Sequence, residues 1–193
     1  MPLLASVTNA HRIAEICSIY RPASIYHSSA YKHVPMVEAN MGEGICNNVF
    51  GTLDMVRAAL EHQVDHFVLI STDKAVRPTN VMGASKRVME DMIMAYSDRF
   101  KVTTARFANV AFSNGSLLAG FLERLLKKQQ LSSPNDVKRY FVSPEESGQI
   151  CMLACMLGRS REIFFPKLGE EQMMTFSTIA DAFLQSLGYE VKT

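Results

Sequence analysis

The sequence predicts an α/β protein: a parallel sheet with helices on both faces. Three observations carry this. Short β-prone runs alternate with longer segments whose apolar residues recur at helical spacing. The strand candidates at 23–27, 67–70 and 101–107 are each followed or preceded by such a helical segment, as a parallel sheet requires of its crossovers. Finally, the apolar run 67–70 delivers a polar cluster, Ser71-Thr72-Asp73-Lys74, after which Pro78-Thr79-Asn80 opens a new helical stretch. Strand, reactive cluster, turn and helix in that order are how an α/β enzyme presents chemistry at the carboxyl end of a strand.

Each element has its own signal. Residues 9–20 place Ile13, Ile16, Cys17 and Tyr20 on one helical face, with Asn9 as N-cap and Arg21-Pro22 as the stop. A short buried strand over 23–27 leads to a loop at 31–35. One long helix is expected over 37–62, carrying Ile45, Val49, Leu53, Val56 and Leu60. After the strand at 67–70 comes a helix over 81–97 with Val88, Met89, Met92, Ile93 and Tyr96, then the β-rich 101–107. A helix over 117–131, a loop at 132–136 and a strand over 138–142 follow. Ser143-Pro144-Glu145-Glu146 is a helix start: Ser as N-cap, Pro at the first position, Glu at the capping-box position. Its helix should bury Ile150, Leu153, Ala154 and Leu157. A strand over 162–165 and a helix over 175–187, stopped by Gly188, complete the chain.

Composition narrows the function. The 193 residues fit one domain of ordinary globular composition, 48% apolar and 20% charged. A net charge of +1 gives no electrostatic footprint for nucleic acid or an anionic membrane. No apolar run approaches the length of a bilayer span, and the first residues lack the pattern of a signal peptide. The four cysteines, Cys17, Cys46, Cys151 and Cys155, lie in helix-like segments and read as reduced core thiols of a cytoplasmic protein. No metal is expected, since no His or second Cys pair stands at finger spacing from Cys151 and Cys155.

The cluster at 71–86 has a bland reading and a functional one. Met82 and Lys86 are one helical turn apart on one face. Taken singly, Met82 is core, Lys86 is a surface residue and Ser-Thr-Asp is a turn. The combination is more demanding, because two hydroxyls, a carboxylate and an amine follow a buried strand, with a second lysine one helix start later.

At this point the chain resembles a known family. The stretches His27-Ser-Ser-Ala-Tyr-Lys-His-Val-Pro-Met-Val-Glu38, Asn48-Val-Phe-Gly-Thr52, Ser71-Thr-Asp-Lys-Ala-Val76 and Met82-Gly-Ala-Ser-Lys86 recur in its order. So do Arg106-Phe-Ala-Asn-Val110, Ser113-Asn-Gly-Ser116 and Arg139-Tyr-Phe-Val-Ser-Pro-Glu145. The family is the extended short-chain dehydrogenases/reductases, in particular the nucleotide-sugar 4,6-dehydratases acting on UDP-N-acetylhexosamines in bacterial glycan biosynthesis. The resemblance implies a partial Rossmann-like sheet over 1–116 and a small C-terminal α/β substrate-binding region over 117–193. It implies NAD or NADP as cofactor, hydride leaving C4 of the sugar and returning to C6 after water is lost, and a homo-oligomer with no nucleic-acid or membrane partner.

Roles follow by motif position. Relatives place a tyrosine four residues before the lysine; here that position is Met82, whose thioether has no exchangeable proton. One subgroup of the dehydratases carries methionine there. The resemblance makes Thr72 the hydrogen-bond partner of the C4 oxygen, Asp73 the acid at C6, Lys74 the base at C5 and Lys86 the holder of the cofactor ribose. Ser71, Ala30 and Asn48 fall beside the cofactor. Lys32, His33, Asn109, Asn114, Ser116 and Arg139 fall at the nucleotide sugar, against bland readings as loop, turn or surface residues. The family's Gly-x-Gly-x-x-Gly phosphate loop does not occur before residue 9, where Val7-Thr8-Asn9 resembles the end of a later strand. Gly42-Glu-Gly44 lies in a helical stretch and follows no strand, so it is not a phosphate loop. The cofactor site is therefore expected to be incomplete, with an open sheet edge. In the family the helices matching 37–62 and 81–97 form a dimer interface, to which Met55, Met89, Met92 and Met94 would be suited unless they are core.

Overall fold

The computed structural model describes residues 1–131 and 133–190. The chain divides into two units, residues 1–106 with 149–165, and residues 107–148 with 166–193.

The first unit is built on a four-stranded sheet. Helix α1 (Ala10–Tyr20) starts where the Asn9 side chain accepts from the Arg12 amide at 3.0 Å, and it buries Ile13 and Cys17. Arg21, left-handed at φ 43°, ends it one residue before Pro22. Strand β1 (Ser24–His27) pairs in parallel with β2 (His66–Thr72), from Ser24 opposite His66 to His27 opposite Leu69. Strand β3 (Lys101–Phe107) lies beyond β2, and the two-residue β7 (Ile163–Phe164) pairs with it in parallel. Ile13, Cys17, Ile25, Val56, Phe67, Leu69, Met89, Ile93 and Val102 form one core on one face of this sheet. Met89 is fully buried in it, and Met55 and Met94 pack against it, so these three methionines are core side chains.

Two expectations in this unit are corrected. Residues 7–9 are not a strand end: Val7 and Thr8 form a turn. A strand persists only with a ladder partner; the Val7 side chain instead closes over the bare face of Gly51, whose Cβ would stand 2.8 Å from it. The helix expected over 37–62 is four pieces: α2 (Val34–Ala39), α3 (Met41–Ile45), a π-helical turn (Cys46–Phe50) and α4 (Gly51–Glu61). Asn40, Gly42, Gly44, Asn47 and Asn48 are all weak helix formers, and the periodicity of the apolar residues masked them. Gly44 is set by packing, since a Cβ there would meet Val37 at 2.8 Å. The π turn rotates Asn48 inward, where it is fully buried.

Helix α5 (Val81–Ala95) has a double start. The Asn80 side chain accepts from the Gly83 amide at 2.8 Å, and Glu38 of α2 accepts from the Val81 amide at 2.6 Å. Two orphan donors are thus satisfied and a carboxylate sits at the positive helix end.

In the second unit, β4 (Asn109–Val110) pairs in parallel with β6 (Phe141–Val142), and β5 (Lys138–Arg139) pairs antiparallel with β8 (Met174–Thr175). The single strand expected over 138–142 is therefore split between two sheets at Tyr140. Helix α6 (Leu117–Leu126) ends short of 131, where Lys128 turns left-handed at φ 54°. The loop expected at 132–136 includes Ser132, which lies outside the described residues. Helix α8 (Phe176–Ser186) ends as foreseen at Gly188, at φ 82°; the Gly188 and Tyr189 amides bond the Gln185 and Leu184 carbonyls in a Schellman pattern. Leu118, Phe121, Ile179 and Ala180 form this unit's core, with Phe141, Phe176 and Phe183 around it.

Helix α7 (Pro144–Met156) begins with the expected capping box: the Ser143 amide donates to Glu146 at 2.7 Å and the Glu146 amide to Ser143 Oγ at 3.1 Å. Its buried face differs from the one expected. Ala154 is buried while Leu153 and Leu157 are exposed. Small residues win because the helix end is tightly closed: a Cβ at Gly158, just past the helix, would clash with the Ala154 carbonyl and meet Thr103 of β3 at 2.8 Å.

The thiols also differ from expectation. Cys17 is buried, Cys151 and Cys155 are half-buried, and Cys46, at the start of the π turn, is exposed. All four are free thiols, and no group of three potential metal ligands occurs among the described residues. Among those residues, no helix is long and apolar enough to cross a membrane.

Candidate active site

Strand β2 ends in the polar cluster as expected, two residues longer than the apolar run that announced it. Ser71 is its last buried residue, and a 3₁₀ turn (Asp73–Ala75) follows Thr72. The three elimination candidates are bonded to one another. Thr72 Oγ1 donates to Asp73 Oδ1 at 2.8 Å, Lys74 Nζ donates to the same oxygen at 3.3 Å, and the Lys74 amide reaches back to Thr72 Oγ1 at 3.4 Å. Asp73 is exposed and the Lys74 side chain is about one-third exposed, so the group faces solvent at the strand end.

Behind this triplet the site is buried. Met82 is 3% exposed and Lys86 6% exposed, one turn apart on α5. Lys86 Nζ donates to the Ile70 carbonyl at 2.8 Å. Burial pushes its ammonium down to about 8, while the nearby Glu90 carboxylate works in the opposite direction. Glu90, 2% exposed, holds Arg106 of β3 in a bidentate ion pair. His27, at the end of β1, is buried and held down to about 4 by desolvation and then by the Lys86 charge.

Asn48 organises the remaining wall. Its side chain accepts from the Tyr31 amide at 2.7 Å and donates to the Tyr31 carbonyl at 3.1 Å and to Ser85 Oγ at 3.0 Å. Thr52 donates to the Asn48 carbonyl at 2.6 Å and shares 2.9 Å with His27 Nε2. The loop after β1 is thus clamped onto the π turn and α5. Ala30 packs against the core beneath it. Lys32 and His33 line a cleft of about 290 Å³ with Tyr31, Met36, Asn40 and Glu43.

The other sequence-predicted residues lie in the second unit, where three of them serve local structure. Asn109 Nδ2 donates to the Tyr140 carbonyl at 3.2 Å, Ser116 caps α6 by accepting from Ala119 at 3.3 Å, and Arg139 donates to the Lys138 carbonyl at 2.9 Å. Asn114 is exposed beside Gly115, at φ 68°. Sequence reasoning did not single out Tyr31, Ser85, Thr52, His27, Glu90 or Arg106 as parts of the site. His27, Tyr31, Thr52, Ser85 and Arg106 lie inside the stretches that carry the family resemblance, and Glu90 stands four residues after Lys86, the spacing of a same-face pair.

A nicotinamide dinucleotide is the group the family resemblance implies, and two of the residues it names can be set against one. Ser71 Oγ is buried without a hydrogen-bond partner among the described residues, and it lies on the strand whose carbonyl holds the buried Lys86 ammonium. An orphan hydroxyl and a lysine with donors to spare fit the hydroxyl-rich nicotinamide ribose. No phosphate cradle accompanies them among the described residues: Gly42 and Gly44 lie within α3.

A parallel sheet with helices on its faces, a polar cluster at a strand end and a buried lysine on the next helix make a Rossmann-like α/β fold with its polar site at the carboxyl end of the sheet. The chain belongs to the polysaccharide biosynthesis protein family, whose pattern matches residues 1–193. It is 36% identical over 174 residues to the capsular polysaccharide biosynthesis protein CapD of Staphylococcus aureus, covering 88% of this chain and 29% of that protein. It is 30% identical over 174 residues to a UDP-glucose 4-epimerase of Rickettsia canadensis, covering 87% of this chain and 50% of the relative. Among solved structures, dTDP-glucose 4,6-dehydratase DesIV of Streptomyces venezuelae, with NAD bound, superposes with a TM-score of 0.84 at 21% identity. That superposition covers 96% of this chain and 63% of DesIV. The chain spans half or less of these two relatives' length.

Proposed function

We propose that this chain carries the elimination residues of a cytoplasmic nucleotide-sugar 4,6-dehydratase, acting on UDP-N-acetylglucosamine in surface-polysaccharide biosynthesis. The observation that supports this most is the triplet Thr72-Asp73-Lys74 bonded together at the end of β2, in front of the buried Met82 and Lys86. Bound NAD or NADP supplies the hydride acceptor and donor. On this reading Thr72 turns its hydroxyl from Asp73 to the C4 oxygen of the sugar. As the pair separates, Lys74 passes a proton to Asp73; Asp73 then gives that proton to the departing C6 hydroxyl, and the neutral Lys74 amine takes the C5 proton, which restores the ion pair. Met82 keeps this corner dry and takes no proton, and Lys86 and Ser71 hold the ribose. Residues 117–193, with Asn109, Asn114, Ser116 and Arg139, bind the nucleotide sugar, and the chain works as a homo-oligomer.

The test is calorimetric titration of the chain with UDP-N-acetylglucosamine and with NAD⁺, followed by mass spectrometry of the sugar. Binding of the nucleotide sugar with weak NAD⁺ binding is expected. Where turnover is measurable, the product has lost one water, and Lys74→Ala lowers the rate by roughly 10²–10⁴-fold. Tight NAD⁺ binding overturns the incompleteness of the cofactor site, and an unchanged Lys74→Ala rate overturns the base assignment. A second reading, a sugar-nucleotide epimerase, is favoured by the 30% identity to the Rickettsia enzyme. It predicts a product of unchanged mass, and gives Asp73 and Lys74 no task.

A further inference from the structure

A second group of reactive side chains lies at the opposite end of the sheet. Ser24 opens β1, His66 opens β2, and Thr103 is the third residue of β3, so their side chains gather at the amino ends of the strands. The cluster at Ser71 to Lys74 is at the carboxyl end of β2, on the order of 20 Å away for a seven-residue strand. Helix α7 brings Cys155 to this amino end. Its Sγ lies 3.6 Å from His66 Nδ1 and 3.9 Å from Ser24 Oγ, and His66 Nε2 lies 2.9 Å from Thr103 Oγ1.

We propose that Cys155 is a reactive thiol, with His66 as its base and Thr103 holding the imidazole, that exchanges with low-molecular-weight disulfides. The geometry is that of a nucleophile, a base and an orienting third group. When Nε2–H is donated to Thr103, Nδ1 presents its lone pair to the thiol. The neutral imidazole is favoured: burial and then the Lys101 charge push His66 below its usual value, and a hydrogen bond with the Cys155 backbone opposes them only in part.

The other groups facing the sulfur fit the same assignment. The Tyr26 phenol is pushed up to about 12, first by its hydrogen bond with Cys155, so it stays a neutral neighbour at half-exposed depth. Lys101 Nζ donates to the Cys155 carbonyl at 3.3 Å and places a positive charge beside the site. Cys151, one turn earlier, is pushed up by burial, which keeps it a thiol.

The exchange balances. Cys155 gives its proton to His66 Nδ1 and its sulfur attacks one sulfur of the disulfide RSSR. The new Cys155–S–S–R bond forms as the old S–S bond breaks, and the departing RS⁻ takes the proton from His66 to leave as RSH. The Cys155 sulfur is oxidised and the leaving sulfur reduced.

This inference goes beyond the proposed function and does not rest on it. The test exposes the chain to glutathione disulfide at pH 7 and follows each cysteine by peptide mass mapping. Cys46 is the internal standard, because it is exposed while Cys155 is half-buried; accessibility alone makes Cys46 the faster. Cys155 is expected to be modified about tenfold faster than Cys46. His66→Asn and the near-isosteric Thr103→Val should each bring Cys155 down to or below the Cys46 rate while leaving Cys46 unchanged. If His66→Asn does not fold, Thr103→Val decides. Cys46 reacting first in the parent chain, or a Cys155 rate that survives the loss of its partners, overturns the proposal.

Discussion

Two buried bases near the site give the chain a pH-dependent stability of known sign. His27 is held at about 4 in the folded chain against 6.5 when unfolded, so the unfolded state binds the proton first. Stability is then full above pH 6.5 and is lost as pH falls toward 4, by about 3 kcal/mol. Lys86 stands at about 8 against 10.5, so the same logic makes stability rise between pH 8 and pH 10.5. Urea melts at pH 4, 7 and 10 check both: His27→Gln should flatten the acid limb, and Lys86→Met the alkaline one. Lys86→Met should also stabilise the chain at pH 7, by about 1–2 kcal/mol, because it removes a buried charge. A buried lysine that costs stability in this way fits the ribose-holding task proposed for it. Asp73 and Lys74, exposed and paired with each other, have little stability at stake.

Between elements, the joint that matters most runs from α5 to β3. The Glu90–Arg106 pair is nearly buried on the Glu90 side and lies one turn beyond Lys86. Glu90→Ala leaves Arg106 without its partner and should cost about 3–5 kcal/mol in chemical denaturation. The double change Glu90→Leu with Arg106→Met should recover most of that loss. A closer contact fastens α7 to β3, where Gly158 leaves no room for a methyl group beside Thr103 and Phe164. Gly158→Ala should therefore destabilise the first unit by about 1–3 kcal/mol, readable as a lower Tm. If α7 shifts to admit the methyl, Cys155 moves from His66, and thiol reactivity reports that shift independently of stability.

For the whole molecule, each unit has its own apolar core. Phe121→Ala removes a 2%-exposed ring from the second core and should cost about 3–5 kcal/mol there. Hydrogen exchange is the appropriate measurement: amides of α6 and α8 should lose protection while those of β2 keep theirs. Loss of protection throughout would mean that the chain unfolds as one cooperative body. Among the described residues β1 and β7 are the two outer strands of the first unit's sheet. The family match extends from residue 1 to residue 193, and the relatives are much longer than this chain.

The alternation of strand and helix, the capping box at Ser143, the Schellman end at Gly188 and the polar cluster after 67–70 were all legible in the sequence. They are local: each depends on propensity, spacing or a contact within a few residues. Motif order also singled out Lys86 and Asn48, two polar side chains that the fold buries. The sequence could not show that 37–62 breaks at Asn40 and turns Asn48 inward through a π turn, because one apolar periodicity runs across both arrangements. Nor could it show which face of α7 is buried, since closeness to β3, not hydrophobicity, chose Ala154 and Gly158 over Leu153 and Leu157. The pairs Glu90–Arg106 and Cys155–His66 stand 16 and 89 residues apart in the chain. Only packing of the sheet and its helices brings them together, and a contact of that kind leaves no mark on local residue patterns.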